Sequence, residues 1–249
     1  AVGAAGEMHV GGSGDLSGEL LGTFLDEYGG DALVQVHDGG SITVANTLKV
    51  WGPGEVRLTT GAMTVGTGAE ETTPGVLRVH GDGLLAGDGL VTAPTVAADG
   101  TVAPGSSQGN RLDVVGDLVA SNSTRFEFEL AGTNPTANDL LAVDGTVHLD
   151  ALLDVELLGG CEPQVGKVFD LMTYDGVTGF FDEFAGLDTV PGVFLLPLVL
   201  PDRFRLQTVL HGDANLDGVV NALDANLIAV NFMQSGLGYT SGDVNLDGI

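Results

Sequence analysis

The chain has 249 residues, 43% of them hydrophobic, which is enough to bury a core and excludes intrinsic disorder for most of its length. Its 40 glycines, roughly twice average usage and without a three-residue period, exclude collagen and a helical protein and require many turns. Eight Lys and Arg against 34 Asp and Glu give a net charge of −26, which repels nucleic acid and anionic membranes and points to neutralisation by a hard divalent cation, Ca2+.

The first residues, Ala1-Val-Gly-Ala-Ala5, carry no basic or apolar leader, as expected of an exported protein whose signal has been removed. From residue 32 to 118, short apolar runs alternate with polar residues: Leu33-Val-Gln-Val36, Ser41-Ile-Thr-Val44, Leu48-Lys-Val50, Val56-Arg-Leu58, Met63-Thr-Val65 and Leu77-Arg-Val79. Period two predicts strands. Turn chemistry such as Asp38-Gly-Gly40, Gly52-Pro-Gly54 and Gly81-Asp-Gly83 separates them, so no hairpin alone can bury its apolar face. Stacking the strands as rungs of a β-solenoid solves that problem; a sandwich is the competing arrangement.

The text Gly87-Asp-Gly-Leu-Val91, Asp99-Gly-Thr-Val-Ala-Pro-Gly-Ser-Ser-Gln-Gly109 and Leu112-Asp-Val-Val-Gly-Asp-Leu118 resembles the autotransporter-associated β-strand repeats of exported bacterial surface proteins. A looser likeness to the passenger-type segment that follows such repeats runs through Asn138–Val147, Leu152–Leu157 and Gly166–Tyr174. The resemblance implies a parallel β-helix capped by a sandwich-like β unit, with a scaffolding or adhesive role.

Near Ser121 the composition shifts, and beyond it the predicted strands lengthen and aromatics concentrate, with Phe169, Tyr174, Phe180, Phe181, Phe184, Phe194 and Phe204. The expected division is therefore solenoid repeats over 1–120, a sandwich-like or solenoid-capping β unit over 121–210, and a third module over 211–249. The apolar run 190–200 is interrupted by Pro191 and Pro197 and is too short to span a bilayer, so it reads as an edge strand. The lone Cys161 excludes an intramolecular disulfide and reads as a small buried hydrophobe.

The motif that carries chemistry is Asp213-Ala-Asn215-Leu-Asp217-Gly218-Val219-Val-Asn221-Ala-Leu-Asp224, an EF-hand-type Ca2+ loop with Asp at its last position. Side-chain oxygens of Asp213, Asn215 and Asp217 would wrap one side of the ion, Gly218 permits the sharp bend, and the Val219 carbonyl, Asn221 and Asp224 would complete the sphere. Residues 222–232 have apolar side chains at helical spacing, so the loop should feed an amphipathic helix. The opening of the loop recurs at Asp243-Val-Asn245-Leu-Asp247-Gly248-Ile249, where Asp243, Asn245, Asp247 and the Ile249 carbonyl would be ligands. Its later positions fall past residue 249; either the sequence is truncated, or another molecule supplies those oxygens.

This loop–helix–loop resembles a type I dockerin module, which implies docking onto a cohesin. Where dockerins often carry a small hydroxyl pair with basic residues further along the helix, this chain has Ala222 and Leu223, then Val230 and Gln234. Leu223 is therefore expected to be a core contact, against the β unit or a neighbouring subunit.

Other signals lack context. Gly105-Ser-Ser107-Gln-Gly109 has the form of a nucleophile elbow, with His148 and His211 downstream, yet the neighbouring text reads as strand and corner rather than strand and helix. Three classes remain: a non-enzymatic extracellular or cell-surface structural protein, a component docked on a cohesin scaffold, and a β-helical polysaccharide-acting enzyme. The first leads, because no catalytic constellation is visible and open β-helix ends favour self-association, including a head-to-tail filament.

Overall fold

A computed structural model describes residues 8–10, 32–67, 75–105, 111–132, 134–231, 234 and 239–241, with 8–10 and 135 in their backbone only. The protein is mostly β. The chain enters through β1 (Met8–Val10), then β2 (Leu33–His37), β3 (Ser41–Val44) and β4 (Leu48–Val50). Next come β5 (Glu55–Val65), β6 (Val76–Val79), β7 (Leu84–Ala98), β8 (Thr101–Pro104) and β9 (Arg111–Ala120). They are followed by β10 (Thr124–Leu130), β11 (Leu140–Asp144), β12 (Thr146–Leu157), β13 (Val168–Thr173) and β14 (Gly176–Ala185). An antiparallel hairpin, β15 (Val193–Leu200) and β16 (Arg203–Leu210), and the helix α1 (Ala222–Asn231) complete the order.

All the pairings from β1 to β14 are parallel, and they fall into three files of in-register residues. One file runs Leu33, Glu55, Leu84, Thr101, Arg125, Leu152, Glu183. A second runs Ser41, Ala62, Leu90, Asp113, Ala142, Thr173. The third runs Met8, Leu48, Leu77, Val96, Leu118, Val147, Val177. Parallel strands need crossovers rather than tight hairpins, and here the chain makes each crossover by passing through the other two files.

The predicted strands are present, but several are fused. Val56–Leu58 and Met63–Val65 belong to one strand, β5, whose register shifts between Thr59 and Gly61. The 15-residue β7 contributes to all three files. As a result β7, β8, β10, β12 and β9 pair in succession and β9 pairs back onto β7, closing a ring of five parallel strands with the other strands outside it. The pairing also crosses the boundary expected at Ser121: Thr101 faces Arg125 and Leu118 faces Val147 within one sheet.

One core fills the interior. Fully buried Leu48, Leu58, Met63, Leu77, Leu85, Leu112, Leu118, Phe126 and Phe128 belong to a single apolar cluster that continues to Phe204 and Leu206 on β16. Inward positions alternate with outward polar ones, which is why the sequence read as period two. The Phe181 ring meets Phe126 edge-on at 5.8 Å and Phe204 at 4.9 Å, so the hairpin closes the core at the C-terminal end of the parallel strands. Asp170 on β13 ties it down by accepting from Arg203 and Arg205 of β16 at 3.1 and 2.8 Å. Among the described residues no helix is long and apolar enough to cross a membrane.

Candidate metal-binding loop

β16 runs directly into the segment 211–221, and α1 follows, so the motif sits in a strand–loop–helix rather than between two helices. Its backbone is organised by its own side chains. The Asp213 carboxylate accepts from the N–H of Asp217 at 3.1 Å and of Gly218 at 2.8 Å. Asn215 Oδ1 accepts from the Asp217 N–H, and Asp217 Oδ1 from the Val219 N–H, both at 2.9 Å. These bonds pull the chain into a tight curl, with Leu216 at φ +58° and Gly218 at φ +84°.

The second half of the loop is a helix cap. Asn221 precedes the first helical residue, and its Oδ1 accepts from the Leu223 N–H at 2.8 Å. Asp224 reaches back to accept from the Asn221 N–H at 2.8 Å and from the Asn215 N–H at 3.2 Å. This reciprocal cap is a structural role that the calcium reading of the motif did not include. The backbone N–H groups of Asn221 and Asn215 hold the Asp224 carboxyl below the usual carboxylate range, against the opposing effect of burial.

Six predicted ligands thus lie in one curl: Asp213, Asn215, Asp217, Val219, Asn221 and Asp224. The Val219 carbonyl accepts from Asn221 Nδ2 at 3.0 Å, and Asn215 Nδ2 donates to Asp217 Oδ2 at 3.0 Å. Asp213 and Asp224 are buried, and among the described residues no Lys, Arg or His forms an ion pair with either of them or with Asp217. Three carboxylates held by backbone N–H donors and, among the described residues, without a cationic partner, with amide and carbonyl oxygens alongside, are the donor chemistry of a hard cation. Among the described residues no three His, Cys, Asp or Glu side chains are gathered as a ready metal cluster. Asp243, Asn245, Asp247 and Ile249 lie outside the described residues, as does Gln234's neighbour segment 235–238.

The curl is not a free tail. Leu216, between two of the predicted ligands, packs with Phe194, Leu196, Val209 and Tyr239 in a second small apolar cluster on the hairpin. The Tyr239 hydroxyl donates to the Leu210 carbonyl at 3.0 Å, and Phe194 stacks on His211 with centroids 4.6 Å apart. Leu223, expected as a core contact, is instead 65% exposed, and of the residues of α1 only Asp224 is buried. The anchor is Leu216, at a left-handed turn and packed on the hairpin face, while the flanking Asn215 amide and Asp217 carboxylate stay in the curl.

The remaining candidates are scattered. Residues 106–110 of the elbow-like motif lie outside the described residues; His148 meets Thr178 Oγ1 at 2.9 Å and His211 meets Asp188 at 3.2 Å, so each histidine is engaged locally. Cys161 is half-buried, with its thiol pushed up by burial. No protein-family model matches the chain, and no curated protein matches it.

Proposed function

We propose that this protein is a non-enzymatic extracellular structural protein, a subunit of a calcium-stabilised surface or matrix assembly. The observation that carries this reading is the junction just described: a curl holding three carboxylates, Asp213 and Asp224 buried and Asp217 exposed, that packs through Leu216 onto the hairpin closing a long parallel β wall. On this reading the three files are the faces of a β-solenoid, the ring of five strands is what its long bent strands produce, and the hairpin is its cap. The segment 211–249 is a dockerin-like calcium module.

Asp213, Asn215, Asp217, Asn221 and Asp224, with the Val219 carbonyl, would hold Ca2+ in the first loop. The ion would neutralise the carboxylates of Asp213, Asp217 and Asp224. At a net charge of −26, copies of the chain repel once they approach within a Debye length of about 8 Å, so association needs favourable close contacts or a bridging cation. The second loop, Asp243 to Ile249, would contribute to a joint between subunits or to a cohesin-like partner.

The test is sedimentation of the full chain with millimolar calcium and with chelator, together with metal analysis. Calcium-dependent oligomers with bound metal are the expected result. A protein that binds no calcium and stays monomeric at high concentration sinks the reading; a monomer that captures a cohesin module replaces it with the docked-component function.

A further inference from the structure

We infer that Leu216 and Tyr239 latch the calcium loop to the outer face of the β15–β16 hairpin, so that ion binding and seating of the hairpin stabilise each other. Tyr239, which stands outside the loop motif, is a positioning residue for the first ligand, Asp213. This rests on the calcium reading above and names how that site is coupled to the fold. The hairpin has two apolar faces. Leu195, Phe204 and Leu206 join the main core, whereas Phe194, Leu196 and Val209 alternate to the opposite side and form the second cluster. All three residues of that outer side are nevertheless buried. Leu216 of the curl and the buried Tyr239 pack there, with the Tyr239 ring 5.3 Å from Phe194.

The same two side chains are tied to the ligands. The Leu210 carbonyl, where β16 ends, accepts from the Tyr239 hydroxyl at 3.0 Å and from the Asp213 N–H at 3.1 Å. One acceptor thus fixes both the tyrosine and the start of the loop. Leu216 donates its own N–H to the Asp213 carbonyl at 3.3 Å, and it follows Asn215 and precedes Asp217. An ion that draws Asp213, Asn215 and Asp217 together therefore fixes Leu216, and a seated Leu216 holds those three oxygens close to one another. Whichever event comes first leaves less freedom for the other to remove, which is positive coupling. Coupling between binding equilibria is reciprocal, so a change on the hairpin must be felt by the ion.

The experiment is calcium titration calorimetry of the full chain, with amide exchange as a second readout. Leu216→Ala should weaken calcium binding by about tenfold, and Phe194→Ala, on β15 and outside the loop, by about fivefold. Tyr239→Phe removes only a hydroxyl and leaves the apolar contact, and it should still weaken binding by about threefold, whereas Leu216→Met should bind within about twofold of wild type. In the other direction, calcium should slow exchange of the β15 amides in wild type and in Leu216→Met, lose that effect in Leu216→Ala, and leave the amides of β5 to β9 unchanged. If Phe194→Ala and Tyr239→Phe bind calcium as tightly as wild type, the latch falls while the calcium site stands. Slowed β15 exchange that persists in Leu216→Ala also overturns it. If wild type binds no calcium, both fall.

Discussion

The parallel wall and the loop at its C-terminal end hold their side chains in place by opposite means. In the wall, partners are remote in sequence: Thr124 Oγ1 donates to the Ala98 carbonyl, Arg125 pairs with Asp154 and His148 with Thr178. In the loop, the contacts that shape the curl reach no further than from Asn215 to Asp224. A remote contact forms only if the whole register is right, whereas a local one forms whenever the short segment has the right residues. The wall should therefore fail cooperatively and the loop alone.

Glycine substitution gives the widest separation. A Cβ at Gly87, φ +111°, would lie 1.8 Å from the Leu58 carbonyl oxygen of the next strand, while at Gly218, φ +84°, it would meet nothing within 4 Å. Gly87→Ala should cost more than ~4 kcal/mol or prevent folding, because the parallel neighbour must move. Gly218→Ala should cost only about 1–2 kcal/mol, from its left-handed backbone. Denaturant titration of both in chelator checks this; equal costs would break the comparison.

Core truncation comes next. Phe126→Ala empties a fully buried ring site and should cost about 3–5 kcal/mol, whereas Leu223→Ala on exposed α1 should stay within about 0.5 kcal/mol. A Leu223→Ala cost near that of Phe126→Ala would mean that the helix packs against something in solution.

Calcium should then act on one region. At a hundredfold excess over its Kd it should raise the stability of the loop and α1 by about 2.7 kcal/mol, read from amide exchange of residues 212–231, and leave the wall amides unchanged. Asp213→Ala should abolish that gain. Uniform protection of both regions would show that the Leu216 and Tyr239 contacts make loop and wall one cooperative unit.

The smallest effect is alkaline. Tyr174, just past β13, donates to the Leu200 carbonyl at 3.0 Å, and burial together with Asp202 pushes its phenol up to about 12. A raised pKa means that the folded state favours the neutral phenol, so this contribution is complete below pH 10 and is lost between pH 10 and 12. Tyr174→Phe should remove that part of the alkaline decline in hairpin stability, followed by tyrosine absorbance and near-ultraviolet dichroism. An unchanged profile would place the alkaline-sensitive group elsewhere.

The sequence by itself determined what depends on neighbours along the chain. Period-two alternation predicted strands from Leu33 to Val79, Asp and Gly marked their turns, and the spacing from Asp213 to Asp224 predicted a curl of oxygen-bearing side chains feeding a helix. Only the tertiary structure decided what depends on remote partners: that Glu55–Val65 and Leu84–Ala98 run on as single strands, that the pairing crosses residue 121 in one sheet, and that β14 pairs only with β12 among the described residues. Leu216 and Leu223 make the same point at one site. Both are leucines in an apolar pattern, yet the left-handed turn at Leu216 puts it on the hairpin and the helix leaves Leu223 in water. Periodicity says which residues share a face, but only the packed partner decides which face is buried.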